Sequence, residues 1–212
     1  MTNYINTIDK KGEVYEIYHT DNPLLKYLAN RFLKRVEYLL NKIEAKKLNG
    51  IDIGSGEGNM LNILKSNGVI EDIIGIDLDE ERISTAQKNY PDINFFVEDI
   101  YSLENYDKRF DYIIATEILE HLPKPELALN IFNDLVKSSG YLIISVPHEP
   151  YFQIGNLLRG KHWSNRGKTP AHLNFWSKKE FDKVLINNNI EIIKEFTIST
   201  FPWLLYLGRF NN

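Results

Sequence analysis

The chain has 212 residues, a formal net charge of −4 and no cysteine, and 25% of its residues are charged. This composition is typical of a folded globular domain and unlike a disordered chain. The lack of cysteine excludes disulfides and excludes thiolates as nucleophiles or metal ligands. No apolar run reaches the roughly 18 residues of a membrane span. The N-terminus also lacks the apolar stretch of a signal peptide, so we expect a cytoplasmic protein.

The first half of the chain shows an alternation of helices and strands. Apolar residues at helical spacing predict an amphipathic helix over about residues 22–46, with Asp21 as a candidate cap and Pro23 in the first turn. The preceding residues are an irregular arm, in which Tyr15, Tyr18 and His19 are candidates for a lid. Apolar strands are predicted at 48–53, 72–76, 93–97, 110–115 and 140–146, with helices after the first, second and fourth. Apolar strands separated by helices favour an α/β fold with a parallel sheet covered on both faces.

Residues 147–176 interrupt this alternation with prolines, glycines and aromatic side chains, and with one short candidate helix at 151–158. So long an irregular stretch inside a domain indicates a functional excursion. A capping box of Ser177 and Glu180 then predicts another helix, and strands are predicted at 190–198 and 203–210. The apolar run 201–207 is expected to be core or a dimer contact rather than a membrane anchor.

Basic side chains are concentrated over residues 151–183, which hold seven basic and two acidic residues. The basic residues are Arg159, Lys161, Arg166, Lys168, Lys178, Lys179 and Lys183. Such a run is either a solvated face or a patch that meets an anionic substrate. The sequence leaves both interpretations open.

A glycine-rich segment, Asp-Ile-Gly-Ser-Gly-Glu-Gly, occupies residues 52–58 between the first strand and its helix. Glycines at the carboxyl end of a parallel strand let a ligand approach the backbone. The spacing departs from the dinucleotide pattern G-x-G-x-x-G, because Asn59 stands where the third glycine would fall. The carboxylates of Asp52 and Glu57 would repel a pyrophosphate and suit a cationic group, which argues against NAD.

Two further acids follow strands. Asp77 ends the second strand, where a carboxylate can accept hydrogen bonds from ribose hydroxyls. The alternative is that Asp77 caps the next helix, a role for which Asp79 is also available. Asp99 follows the third strand and could accept from the exocyclic amine of adenine, with Ile100 on the ring, or be a plain turn residue. Together these acids and the glycine loop describe a site for adenosine with a cationic tail.

With these residues the sequence resembles the class I S-adenosylmethionine-dependent methyltransferases. The matching segments are 52–58, 75–77, 98–100, 110–122 and 141–147. Residues 170–181 resemble the small-molecule subgroup, in which a histidine followed by an aromatic residue precedes the sixth helix. The resemblance implies a seven-stranded, Rossmann-like doubly wound sheet of order 3-2-1-4-5-7-6 with strand seven antiparallel. Only residues 200–202 separate the last two predicted strands, which leaves open a final strand that is short or absent.

The resemblance implies a single methyltransferase domain over 1–212, with an arm and helix (1–46), a cofactor-binding core (48–147), a substrate-side excursion (148–176) and a last helix and hairpin (177–212). S-adenosyl-L-methionine is the implied cofactor and S-adenosyl-L-homocysteine the product. The candidate cofactor-binding residues are Asp52, Gly54, Ser55, Gly56, Gly58, Asp77, Leu78, Asp99, Ile100 and Glu117. We expect loop N–H groups to meet the methionyl carboxylate. The candidate bases are His121, His148 and His172, each with a structural role as the alternative. No metal ligands are assigned.

The predicted function is methyl transfer by in-line displacement to a small or medium-sized acceptor at O, N or C. The basic, aromatic excursion favours an anionic acceptor. A nucleic-acid methyltransferase is one alternative, disfavoured by the isoelectric point of ≈ 5.8 and by the lack of an Asn/Asp-Pro-Pro-Tyr/Phe segment after strand four. A non-catalytic protein that binds the same cofactor is the other.

Overall fold

The computed structural model describes residues 21–149, 151–158, 160 and 162–211, and the lid candidates Tyr15, Tyr18 and His19 lie outside these ranges. Seven strands form one sheet of order β3-β2-β1-β4-β5-β7-β6. The strands are β1 (Asn49–Ile53), β2 (Asp72–Asp77), β3 (Asn94–Val97), β4 (Phe110–Thr116), β5 (Val136–Pro147), β6 (Ile190–Phe196) and β7 (Trp203–Phe210). The helices are α1 (Pro23–Lys42), α2 (Asn59–Ser66), α3 (Glu80–Asn89), α4 (Pro125–Leu135), α5 (Tyr151–Leu158) and α6 (Lys178–Asn187). The predicted fold class and strand order are confirmed.

The final strand is complete. β1 to β5 pair in parallel, whereas β7 runs antiparallel to both β5 and β6. The strand predicted at 190–198 ends at Phe196, and a 3-10 turn, Ile198–Thr200, follows it. The connection to β7 is therefore longer than the three residues counted in the sequence, which leaves room for the reversal of the chain.

Helices cover both faces of the sheet. Residues of α4 and α6 pack on one face, and residues of α1, α2 and α3 pack on the other. Consecutive residues of β7 enter these two cores alternately, so Leu204 and Tyr206 face one core while Trp203 and Leu205 face the other. Of the apolar run 201–207, residues 203–207 are therefore core, as expected, whereas Phe201 is 43% exposed. In the described ranges no helix combines the length and the apolarity needed to cross a membrane.

The helix ends differ from expectation in detail. Asn22, not Asp21, caps α1, since its side chain accepts from the N–H groups of Leu24 and Leu25. α1 ends at Lys42, short of the predicted residue 46. The capping box before α6 is present, because the Glu180 carboxylate accepts from the backbone N–H of Ser177 at 2.9 Å.

A glycine in β1 tests the packing of the sheet. The Tyr112 ring lies over Gly50, where a Cβ atom would be 2.2 Å from the ring carbon Cζ. Tyr112 is fully buried and has no room to move. We expect Gly50→Ala to lower the free energy of unfolding by about 1–3 kcal/mol in urea denaturation, as overpacked cores do.

Gly155→Ala is the matched control, because a Cβ at Gly155 in α5 would meet no atom within 4 Å. Alanine also favours a helix over glycine, so this variant should be neutral or more stable by about 0.5–1 kcal/mol. Equal stabilities for the two variants would contradict the contact between Tyr112 and β1.

Candidate active site

The glycine loop lies at the carboxyl end of β1, where the strand order reverses between β1 and β4. Ligands bind in the crevice at such a switch point in open α/β sheets. Gly54, Gly56 and Gly58 all have left-handed φ angles, of 79°, 55° and 77°. A Cβ at Gly58 would lie 2.5 Å from the Phe95 ring, so a side chain is excluded there by space as well as by conformation.

Hydrogen bonds fasten the loop to the end of β2. The N–H groups of Gly54 and Ser55 both donate to the carbonyl oxygen of Ile76, at 2.8 and 2.9 Å. The N–H of Gly56 donates to Asp77 Oδ2 at 2.9 Å, and that of Gly58 donates to the carbonyl of Ser55. These four donors are used within the fold, contrary to the expectation that loop N–H groups meet a ligand carboxylate. The buried Ser55 hydroxyl, in contrast, has no hydrogen-bond partner.

Asp77 is held in place by two backbone donors. Its Oδ1 accepts from the N–H of Asp79 at 2.9 Å, and its Oδ2 from that of Gly56. Asp79 caps α3, because its Oδ1 accepts from the N–H groups of Glu81 and Arg82. Asp77 is therefore not the helix cap, and each of its carboxylate oxygens retains a lone pair. The neighbouring Leu78 is 53% exposed and offers apolar surface at the same edge.

Asp52 lies beneath the loop and is only 2% exposed. Burial, followed by the nearby charge of Asp77, raises the pKa of Asp52 to about 8. The side chain therefore holds a proton at neutral pH and is not the anion that the sequence analysis expected. A cation bound beside it would lower this pKa again.

Asp99 and Ile100 take structural roles. Asp99 Oδ1 accepts from the N–H of Tyr101 at 2.9 Å and caps the 3-10 helix Ile100–Asn105. Ile100 is 8% exposed and belongs to the core on the side of α4. The turn role that the sequence left open for Asp99 is thus present, and its contact with adenine stays a prediction.

Glu117 leaves the end of β4 in a left-handed conformation, with φ 56°. Its N–H donates to the carbonyl and to the hydroxyl oxygen of Ser145, both at 3.2 Å, and the Ser145 hydroxyl donates to Glu117 Oε1 at 2.8 Å. A glutamate with positive φ is uncommon, and such strained residues cluster at functional sites. These bonds fix the Glu117 side chain between β4 and β5.

Glu120, His121 and His172 form a cluster beside the turn that follows β4. Glu120 and His172 are buried, and the His121 side chain is 27% exposed. The rings of the two histidines are 4.9 Å apart at 81°, and His121 Nε2 is 3.9 Å from Glu120 Oε1. Glu120 is 1% exposed, and neither of its carboxylate oxygens has a hydrogen-bond partner. Burial, and then the charge of Glu117, raises the pKa of Glu120 well above its usual range. The sequence analysis named both histidines but missed Glu120, whose signal was its place beside one of them.

The third histidine does not join this cluster. His148 follows β5, and its ring contacts that of Tyr151 at 4.8 Å. Burial and the charge of Lys178 lower the pKa of His148. Burial and the neighbouring histidines lower the pKa of His172 to about 3, so His172 is neutral at physiological pH.

The excursion is anchored to the turn after β4. The N–H groups of Leu173 and Asn174 donate to the carbonyl of Glu120 at 2.7 and 3.0 Å. The Asn174 side chain donates to the carbonyls of Leu119 and Leu122 at 3.2 and 2.7 Å. Asn174 is a second residue that the sequence analysis missed, and it positions the segment that carries His172.

The basic residues divide between two roles. Lys178 forms ion pairs with Asp182 and Glu195, at 2.7 and 2.8 Å, and is structural. Arg166 and Lys168 instead line an open cleft of ≈ 420 Å³ together with His172 and Phe175. The Lys168 ammonium lies 4.6 Å from the centre of the Phe175 ring. Arg159 and Lys161 are outside the described residues.

Comparison with known proteins yields a family match and several relatives. Residues 24–195 match the family model described as a methyltransferase domain. The ubiquinone biosynthesis O-methyltransferase of Coxiella burnetii (strain Dugway 5J108-111) is 33% identical over 197 residues, which are 84% of this chain and 83% of that protein.

Two further similarities differ in extent. The 235L protein of invertebrate iridescent virus 6 is 28% identical over 149 residues, which are 68% of this chain, and the chain spans only 54% of that relative. The crystal structure of magnesium protoporphyrin IX methyltransferase from Synechocystis PCC 6803 with bound SAH superposes with a TM-score of 0.67 over 93% of this chain and 94% of the other, at 16% identity. At that identity the superposition supports the fold alone.

The buried carboxyl group of Asp52 predicts a pH dependence of stability. Between its ordinary pKa of 3.8 and about 8, the folded state keeps a proton that the unfolded state releases. The free energy of unfolding therefore falls as pH rises through this window, by at most about 1.4 kcal/mol per pH unit. Asp52→Asn should lack this part of the pH dependence. The stability of the variant relative to wild type should therefore be higher at pH 8 than at pH 5.

Urea denaturation at the two pH values measures the effect, with Asp92→Asn, at an exposed position, as the control. The control should follow the wild-type pH dependence. If Asp52→Asn also followed it, the ionisation of Asp52 would not be coupled to folding.

Proposed function

Because the chain belongs to the class I S-adenosylmethionine-dependent methyltransferase family, we propose that it binds S-adenosyl-L-methionine at the glycine loop and methylates a small or medium-sized acceptor beside the excursion. The observation that carries this proposal is the position of Asp77 next to a loop of three left-handed glycines. The backbone N–H groups of Gly56 and Asp79 fix its carboxylate, and each carboxylate oxygen keeps a lone pair for a further hydrogen bond. This arrangement suits a nucleoside whose ribose hydroxyls donate to one carboxylate.

The residues present fit this cofactor. The unpartnered hydroxyl of Ser55 offers a polar contact in the loop, and the exposed Leu78 offers apolar surface for a base. The first N–H groups of α2, from Asn59 onwards, have no carbonyl within their helix and suit the methionyl carboxylate. When bound, the cofactor supplies a methyl group on a sulfonium, which is its own leaving group. The protein therefore contributes mainly position and electrostatics.

Of the three candidate bases, we propose His148 for proton transfer from the acceptor. Its half-buried ring lies at the carboxyl end of β5, next to the excursion. Its pKa is lowered, so at neutral pH the imidazole is neutral and able to accept a proton. His172, whose pKa is lowered to about 3, is too weak a base at neutral pH, and the Nδ1 atom of His121 is engaged by the carbonyl oxygen of Ala171.

We propose an anionic acceptor that is methylated on oxygen. Support comes from the open cleft, where Arg166 and Lys168 lie beside the Phe175 ring. This pairing of positive charge and an aromatic face suits a carboxylated or phosphorylated ring compound. The curated relatives named as O-methyltransferases favour a hydroxyl as the methylated group. A cytoplasmic location and the lack of a nucleic-acid partner stay predictions.

Replacement of Asp77 tests the cofactor site. Asp77→Ala removes the two expected ribose hydrogen bonds, which at about 1.5 kcal/mol each amount to about 100-fold in affinity. Isothermal titration calorimetry with S-adenosylhomocysteine should show this loss, and NADH should bind to neither protein. Asp72→Ala, at the opposite end of β2, is the matched control and should bind as wild type does. Unchanged affinity in Asp77→Ala, with an intact circular dichroism spectrum, would refute the ribose assignment.

Replacement of Lys168 tests the acceptor class. In a methyl-transfer assay with hydroxybenzoates and their neutral methyl esters, we expect the anionic compounds to have KM values lower by about 10-fold, the effect of one favourable charge contact. Lys168→Ala should remove this preference and leave the affinity for S-adenosylhomocysteine unchanged. Lys179→Ala, the same change on exposed α6 surface, should preserve it. Equal KM values for acids and esters in the wild type would contradict an anionic acceptor.

A further inference from the structure

We infer that Glu120, His121 and His172 form a binding site for one divalent transition-metal ion. One donor atom from each of these three side chains lies within 4.8 Å of the other two. His121 belongs to the turn after β4, and His172 comes from the excursion that Asn174 ties to that turn. His172 also lines the cleft that holds Arg166 and Lys168, but metal binding can be measured without cofactor or acceptor, so the test of the inference is separate from that of the proposed function.

Three polar atoms of the cluster lack hydrogen-bond partners. Glu120 is 1% exposed and both of its carboxylate oxygens are without a hydrogen bond, and the Nδ1 atom of the 92% buried His172 is also without one. Buried polar groups in folded proteins are almost always satisfied, by protein, by water or by an ion. A metal ion bound between these side chains would take one donor atom from each of them.

The tautomer of His121 suits a metal ligand. Its Nδ1 lies 3.0 Å from the carbonyl oxygen of Ala171, which can only accept a hydrogen bond, so Nδ1 carries the proton. The lone pair is then on Nε2, the atom that faces Glu120 Oε1. Metal-bound histidines typically donate their second ring N–H to a carbonyl or carboxylate in this way.

The donor set selects the ion. Two imidazole nitrogens and one carboxylate suit Zn²⁺, Co²⁺ or Fe²⁺ rather than Mg²⁺ or Ca²⁺, which prefer oxygen alone. Donor atoms around a tetrahedral Zn²⁺ are about 3.4 Å apart, so donor atoms up to 4.8 Å apart would approach each other by up to about 1.4 Å on binding. Three protein ligands leave a further position for water or for an oxygen of a substrate.

Metal titration of the full chain tests the site without recourse to activity. After treatment with EDTA, the protein is titrated with Co²⁺, whose visible absorption reports its coordination, and with Zn²⁺ by calorimetry. We expect one equivalent of either ion to bind, displacement of Co²⁺ by Zn²⁺, and no comparable binding of Mg²⁺. Glu120→Gln and His172→Ala should each weaken binding by at least about 100-fold.

His148→Ala is the matched control, because it removes a histidine close to the excursion and outside the cluster; it should bind Co²⁺ as wild type does. Glu120→Gln preserves the shape of the side chain, so it serves even where His172→Ala does not fold. A wild-type protein that develops no Co²⁺ absorption and whose Tm does not rise with Zn²⁺ would overturn the inference. Metal binding that both Glu120→Gln and His172→Ala retain would also overturn the inference. In that case Glu120 and His172 would be satisfied by shared protons and not by a metal ion.

Discussion

The attachment of the glycine loop to the end of β2 determines the geometry of the candidate active site. One carbonyl, that of Ile76, accepts from two consecutive loop N–H groups, and the Asp77 carboxylate accepts from a third. The chain can present these three donors to one neighbour only because its glycines adopt left-handed conformations. The same bonds align Asp77 and set the start of α2.

Two buried acids flank this edge and make it sensitive to positive charge. Asp52 lies under the loop and Glu120 lies in the turn after β4, and both are almost fully removed from water. Each has a second carboxylate acting on it, Asp77 in one case and Glu117 in the other. Desolvation and like charge both favour the protonated form. A cation bound beside either carboxyl group would favour the charged form and lower its pKa.

The sequence was sufficient for the sheet and for the loop. Apolar runs predicted the strands, and the glycine spacing predicted the loop at the carboxyl end of β1; the cofactor contacts of that loop stay a prediction. It was insufficient where distant segments meet. His121 and His172 come into contact because Asn174 binds the turn after β4, and no periodicity encodes that docking.

Smaller errors also have physical causes. Thr197 and Ile198 are β-branched and favour a strand, yet the chain turns there, which makes the connection before β7 longer than expected. Ile51 and Ile53 face the core on the side of α4, so strand alternation places Asp52 on the other face of the sheet. That face is also covered, and Asp52 is buried there. The raised pKa of Asp52 depends on how the chain packs around its carboxyl group, which the amino-acid composition does not reveal.

The position of β7 between β5 and β6 has a consequence for synthesis of the protein. β7 follows every other strand in the chain, yet it pairs with β5 from Tyr141 to Pro147 and with β6 on its other edge. Until residues 203–210 have been added, the edge of β5 that pairs with β7 has no partner strand. Chains emerge N-terminus first at about 5–20 residues per second. During synthesis the nascent chain therefore passes through a stage in which this edge of β5 is open to pairing with other strands.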